Sequence, residues 1–446
     1  MAMERVVRTL DQWRDIALST PRTIECNNMW LKGRDGEPVI FSGPGRIEIT
    51  KSGEVRFYMY ATATDTDAAF RKIRSAQANP YNALEQFRLV ALDFSGTEWE
   101  GGYTSVGFFD DPKNGYPFTG KLTALSTLAT GDQVAKTSSV ELLMIPPVDL
   151  PASEWMVSNT AIGEKELLYS RKPGRQIISV LGTDVEFLYE PSREALWITA
   201  LTSEDLPHPY AEKWLAEPLR IMLGSLVYPQ MVARNMGDGT SHIWFRPSSH
   251  SKKPSMFGLK QPFEITAGFP TGFWEVYARI LTMIGSARDD NDRPNFEAHE
   301  VTRFYQELAQ ARHGSRWMKL LTLASTAEAM TKALMTDADR KSEYTDADLA
   351  SMSKYIGKWE GNKGLRSRLQ DSVAFAAQRS PQGFMRSLAK DGVISNEEVD
   401  TWRKLRNSVA HGNLVEPWPT QDGDRHLGEM ISLVHKLTHA RIEKGR

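Results

Sequence analysis

SNEEVDTWRKLRNSVAHG, residues 395–412, reads as one amphipathic helix carrying its own start and stop signals. Ser395 and Glu398 stand at the spacing of a capping box, in which hydroxyl and carboxylate each satisfy a backbone N–H left free by the first turn. Gly412 is the residue type that most often ends a helix. At roughly 100° per residue, Val399, Trp402, Leu405, Val409 and Ala410 share one apolar arc. Arg406 falls inside that arc, beside Val399 and Trp402. A guanidinium taken out of water without a partner is strongly destabilising. Arg406 must therefore meet a carboxylate, open into a cleft or face another subunit. His411 follows five residues later, where the helix ends.

A helical signal farther upstream offers a partner. RFYQELAQARHGSRWMKLLTLASTAEAMTKALM (303–335) spaces its apolar residues by three and four, with a break at His313-Gly314-Ser315. Glu328 lies at the edge of an arc formed by Leu320, Leu321, Leu323, Ala324, Ala327 and Met335. A buried Arg406–Glu328 pair is the simplest resolution of both anomalies, whether it only sets helix register or also serves a site. Further helices are expected near 345–360, 364–379, 382–390 and 426–443, which makes residues 296–446 an all-α bundle.

Residues 285–295, GSARDDNDRPN, have linker chemistry, and residues 1–284 ahead of them read as strands, in one or two subdomains. VIFSGPGRIEITKSGEVRFYMYATA (39–63) alternates apolar and polar residues on both sides of Lys51-Ser52-Gly53, as a hairpin does. Short apolar runs follow at 87–94, 103–109, 121–129, 139–145, 165–170, 176–182, 185–190 and 195–201, with a helix expected over 209–226. The expected fold is α+β and multidomain: a β-rich, sandwich- or barrel-like N-terminal region before the helical bundle. Trp30, Trp99, Trp155, Trp197 and Trp244 are expected in the β core.

Composition narrows the function classes. The 446 residues carry 54 basic and 56 acidic side chains, which excludes a strongly basic nucleic-acid binder but not a local basic site. The balance changes sign along the chain: residues 301–446 hold 23 Lys and Arg against 18 Asp and Glu, and the acidic excess lies before them. One cysteine, Cys26, excludes a disulfide framework and a cysteine-built zinc site. No apolar run is long enough for a membrane span, so a reduced, cytoplasmic protein without membrane partners is expected. No phosphate-binding glycine loop or GxSxG elbow is present. His299-Glu300 lacks the second histidine of a zinc helix, and acidic 337–348 lacks the turn glycine of a calcium loop. His435 and His439 share a helix face, but no third ligand accompanies them, and His426 reads as surface or packing; no metal or cofactor is expected.

LRNSVAHG, with Arg406, Asn407 and His411, resembles the Arg-x4-6-His motif of HEPN-domain ribonucleases in its Arg-Asn-x3-His form, over about 285–446. Arg293 and His299 match the spacing too, but Pro294 and the polar linker place them outside an amphipathic helix. The N-terminal half, through GPGRIEITKSGEVRFYMY, is more faintly similar to the β-rich region preceding HEPN in ApeA-type anti-phage defence proteins. The resemblance implies an endoribonuclease with a composite site in a homodimer, cutting cellular RNA, including tRNA, after a phage-encoded trigger. RNA is cut without metal when the 2′-hydroxyl attacks the adjacent phosphorus. His411 is assigned proton transfer, Arg406 phosphate stabilisation, Asn407 orientation and Glu328 a supporting role. Lys354, Lys358, Lys363, Arg366, Arg368, Arg403 and Lys404, interleaved with Tyr355, Trp359 and Phe375, are candidate RNA contacts if those aromatics face outward. A different class stays open at this point: a non-catalytic dimerisation module beside a ligand- or protein-binding β region.

Overall fold

A computed structural model describes residues 8–18, 21–33, 37–50, 53–104, 106–108, 116–162, 165–190, 194–246, 255–260, 272–295, 297–342, 344–410 and 418–444. The chain divides into two compact units. Met1–Leu219, Leu226–Lys253 and Phe263–Glu297 form one; Arg220–Ser225, Pro254–Pro262 and Ala298–Arg446 form the other.

The first unit is built on β1 (Arg22–Lys32), β2 (Val39–Ile49), β3 (Val55–Ala63), β4 (Phe87–Asp93), β5 (Glu98–Thr104), β6 (Val106–Phe108), β7 (Tyr116–Leu122), β8 (Leu125–Thr130), β9 (Ser138–Met144), β10 (Glu154–Ile162), β11 (Lys165–Val180), β12 (Thr183–Tyr189), β13 (Leu196–Leu201), β14 (Met231–Met236) and β15 (Thr240–Phe245). They form one antiparallel sheet in the order β10-β11-β12-β13-β9-β14-β15-β8-β5-β4-β1-β2-β3-β7-β6. The expected hairpin over 39–63 is present: Ile49 pairs with Val55, and Gly53 adopts φ 80° between them. In β3 the period of two is clean, with Val55, Phe57, Met59 and Ala61 buried and their neighbours turned outward. The runs expected at 165–170 and 176–182 are one strand, which ends at Val180 before a turn at Leu181-Gly182, and 209–226 holds two short helices.

Strand β1 departs from alternation. Ile24 and Cys26 point inward, then Met29 and Leu31 do, because a bulge intervenes between Cys26 and Met29 opposite Gly43-Pro44-Gly45. A Cβ on Gly45 would stand 2.2 Å from the Tyr58 carbonyl oxygen, so glycine is required where β2 and β3 approach. Trp99 and Trp197 are buried, whereas Trp30, Trp155 and Trp244 are only partly covered.

The helices are α1 (Arg14–Leu18), α2 (Thr66–Ala78), α3 (Ala211–Trp214), α4 (Glu217–Leu223), α5 (Phe273–Ser286), α6 (Glu300–Ala311), α7 (Arg316–Leu334), α8 (Asp337–Arg340), α9 (Asp346–Gly357), α10 (Lys363–Ala376), α11 (Pro381–Lys390), α12 (Asn396–Ala410) and α13 (Gln421–Lys444). Helix α5 belongs to the β-rich unit, where Tyr277 donates to the Leu215 carbonyl at 2.7 Å and Trp274 to the Pro151 carbonyl at 3.1 Å.

The second unit is all-helical apart from its short segments. Its central element is α7, which touches α6, α11, α12 and α13. The break predicted at 313–315 separates α6 from α7, and Ser315 caps α7 by accepting from the Met318 amide at 3.2 Å. Leu320, Leu323, Ala324, Ala327, Met330 and Leu334 are buried along α7. Among the described residues, no helix is long and apolar enough to cross a membrane.

Candidate functional site

The capping box predicted for α12 is formed: the Glu398 carboxylate accepts from the Ser395 amide at 2.7 Å, and Ser395 Oγ accepts from the Glu398 amide at 3.1 Å. Val399, Trp402, Leu405 and Val409 are buried, as their spacing predicts, and Trp402 donates its indole N–H to the Ala324 carbonyl at 3.0 Å. Two polar residues share that buried face. Glu398 accepts from Ser432 at 2.7 Å and Lys436 at 2.8 Å, and Thr401 donates to Glu429 at 2.6 Å. Burial pushes the Glu398 carboxyl up, but Lys436 and the hydroxyl and amide donors outweigh it and hold it below the ordinary range.

These anchors tie the Glu398 and Thr401 side of the helix to α13. Arg406 stands at the rim, so its pair with Glu328 is not the buried one expected. The pair itself forms: Arg406 Nε lies 3.4 Å from Glu328 Oε2, with side-chain exposures of 46% and 22%. Lys332, one turn on, donates to the other Glu328 oxygen at 2.9 Å. Partial burial raises the Glu328 pKa, yet Lys332 and Arg406 reverse the shift and keep the carboxylate ionised below its usual range. Arg406 meets Glu328 through Nε, and its side chain stays 46% exposed, within reach of an anion. Asn407, one residue on, is exposed. His411 and Gly412 lie outside the described residues.

The seven candidate RNA contacts separate into two groups. Arg403 and Lys404 are exposed on α12 itself, and Arg403 lies 3.6 Å from Asp400. Lys354, Lys358, Lys363, Arg366 and Arg368 belong to the α9–α10 hairpin, whose helices pack on each other. The aromatics there face outward: Tyr355 is 75% and Phe375 80% exposed.

Compared with protein-family models, with curated proteins and with solved structures, this chain matches none.

Sequence reasoning gave His426 only a surface or packing role. It sits at the start of α13 with Arg425 at 3.3 Å; partial burial, then Lys404 and Arg425, lower its pKa. Lys404 lies on α12, a separate stretch of chain, so no local spacing signals its charge at His426. Two other histidines have structural roles: His299 caps α6, and His435 bonds the Phe257 carbonyl at 3.2 Å. Among the described residues, no three His, Cys, Asp or Glu side chains cluster in a way that could hold a metal ion.

Proposed function

We propose that this chain is a HEPN-type endoribonuclease that cuts RNA without a metal, acting as a homodimer in anti-phage defence under the control of its N-terminal region. The observation that carries the reading is Arg406: it interrupts an apolar arc, yet stands half exposed, aimed by a carboxylate that Lys332 in turn keeps ionised. An arginine serving only as a register pin has no need to stand half exposed. In the proposed reaction the substrate 2′-hydroxyl attacks the adjacent phosphorus, a 2′,3′-cyclic phosphate forms and the 5′-oxygen leaves with a proton. Arg406 neutralises charge on the phosphate oxygens, worth most where water is thinned. Asn407 orients the phosphate or His411, and His411 moves protons, a role typically worth about 10²–10⁴-fold. One imidazole cannot at once be acid and base, so two copies of α12 meeting across a dimer would supply both.

The test incubates wild type, Arg406→Ala and His411→Ala with total tRNA and with single-stranded RNA, with and without EDTA and extract of phage-infected cells. EDTA-resistant cutting that both substitutions abolish, with the dimer intact on sizing, is the expected result. Silence of the wild type even with infected extract would leave a non-catalytic dimerisation module as the better account. Equal cutting by all three proteins would place any activity elsewhere.

A further inference from the structure

The α9–α10 hairpin stands apart from the bundle on a narrow neck. Arg379 N–H donates to the Arg340 carbonyl at 2.9 Å and Ser342 N–H to the Ala377 carbonyl at 3.2 Å, closing the neck. Beyond it, Ile356 is the one buried side chain in α9, and α10 has none. The hairpin nonetheless carries large apolar residues in water, including Met352, Tyr355, Leu365, Leu369 and Phe375. An uncovered run of this kind marks a surface that something else covers.

Charge identifies the occupant. Lys354 and Lys358 stand one turn apart and share a face of α9, with the exposed Tyr355 at the edge of that face. Trp359 follows just past the helix end, exposed. Its ring lies over Gly361, where an added Cβ would come within 2.2 Å of it, and Arg366 donates to its carbonyl at 3.0 Å. The aromatic tip is thus held in place. Lys354, Lys358, Lys363 and Arg368 are exposed and have no ion-pair partner among the described residues, whereas Arg386, Arg403 and Arg425 each meet carboxylates. A second copy docking through the same face would bring these cations against their own equivalents. A ligand with anions along its length and flat faces between them satisfies both halves of the surface.

We propose that the tip of this hairpin, Tyr355 and Trp359 with Lys354, Lys358 and Lys363, docks single-stranded RNA by base stacking and phosphate contacts. Duplex is excluded because its bases are stacked internally and offer no free face to a ring. The proposal deepens the nuclease reading by naming where the strand is held, and it rests on that reading for the choice of RNA over DNA.

Binding is measured apart from cutting with a fluorescein-labelled 2′-O-methyl oligouridine of about 15 nucleotides, which lacks the attacking hydroxyl; site sizes for single strands run to about this length. Anisotropy titration of the full-length protein is expected to give saturable, salt-dependent binding. Tyr355→Ala should weaken it about tenfold, and Tyr355→Phe, which keeps the ring, should not. The double variant Lys354→Gln/Lys358→Gln should lower the slope of log Kd against log salt by about 1.4, at roughly 0.7 per phosphate contact. Absence of wild-type binding, or unchanged affinity and slope in the variants, overturns the proposal. So does a change in oligomeric state by light scattering with oligonucleotide binding unchanged, which would make the hairpin a protein-contact surface. If instead Arg406→Ala and His411→Ala leave cutting unaffected while hairpin variants lose binding, the nuclease reading fails and the docking surface stands.

Discussion

His299 gives the helical unit a pH dependence whose size follows from its surroundings. The ring is 6% exposed, and Nδ1 accepts from the Val301 amide at 3.2 Å as the cap of α6. Protonating Nδ1 would aim one donor at another. Burial, then Arg441 and Arg303, lower the imidazole pKa from 6.5 to about 4. Between those values the unfolded chain binds a proton that the folded chain refuses, so stability is fully present above about pH 6.5 and falls as pH drops toward 4. At about 1.36 kcal/mol per pKa unit, the full loss is about 3 kcal/mol, and about 2 kcal/mol has gone at pH 5 relative to pH 7. His299→Asn keeps a side-chain oxygen at the cap and removes the titration. Urea unfolding of both proteins, followed by helical circular dichroism at pH 7 and pH 5, isolates the effect, because other titrating groups cancel in the double difference. Wild type should lose about 2 kcal/mol more than His299→Asn over that interval. Identical losses would refute the argument.

Three further outcomes test the site and its frame. Arg406→Ala should change folding stability by no more than about 1 kcal/mol, because a half-exposed ion pair contributes little; a larger drop in chemical denaturation would make Arg406 a structural residue. Glu398→Ala should destabilise by about 2 kcal/mol, since it strips the capping box and removes the acceptor of Ser432, while Lys436, 42% exposed, can turn to water. A loss under 1 kcal/mol in the same denaturation would contradict the anchoring assigned to it. Gly45→Ala should cost about 1–3 kcal/mol through the clash with the Tyr58 carbonyl; a thermal melt at the wild-type temperature would show that β2 and β3 separate without penalty.

What sequence alone determined here was local. The start of α12 is legible in Ser395 and Glu398 because a capping box closes within one turn, and the break before α7 is legible in His313-Gly314-Ser315 for the same reason. The anomaly of Arg406 is legible because helical spacing is constant, and its acidic partner could be named because only one carboxylate stood at the edge of the α7 arc. Alternation in β2 and β3 revealed their hairpin. Where local pattern was broken, an element escaped notice: the bulge at Asn27-Asn28 reverses the parity of β1 halfway along. Helix α5 was legible in the polar stripe Glu275, Arg279, Thr282 and Ser286 but was passed over beside the linker.

Tertiary structure decided which part of each face is buried. On α12, Glu398 and Thr401 could be drawn inward only because Ser432, Lys436 and Glu429 wait on α13, about thirty residues away, while Arg406 is left half open to solvent. The approach of Lys404 to His426 and the outward turn of Tyr355 were settled at the same level. Spacing along one helix says which side chains share a face, but whether that face meets water depends on partners distant in sequence, and a polar group moves inside wherever such partners satisfy it.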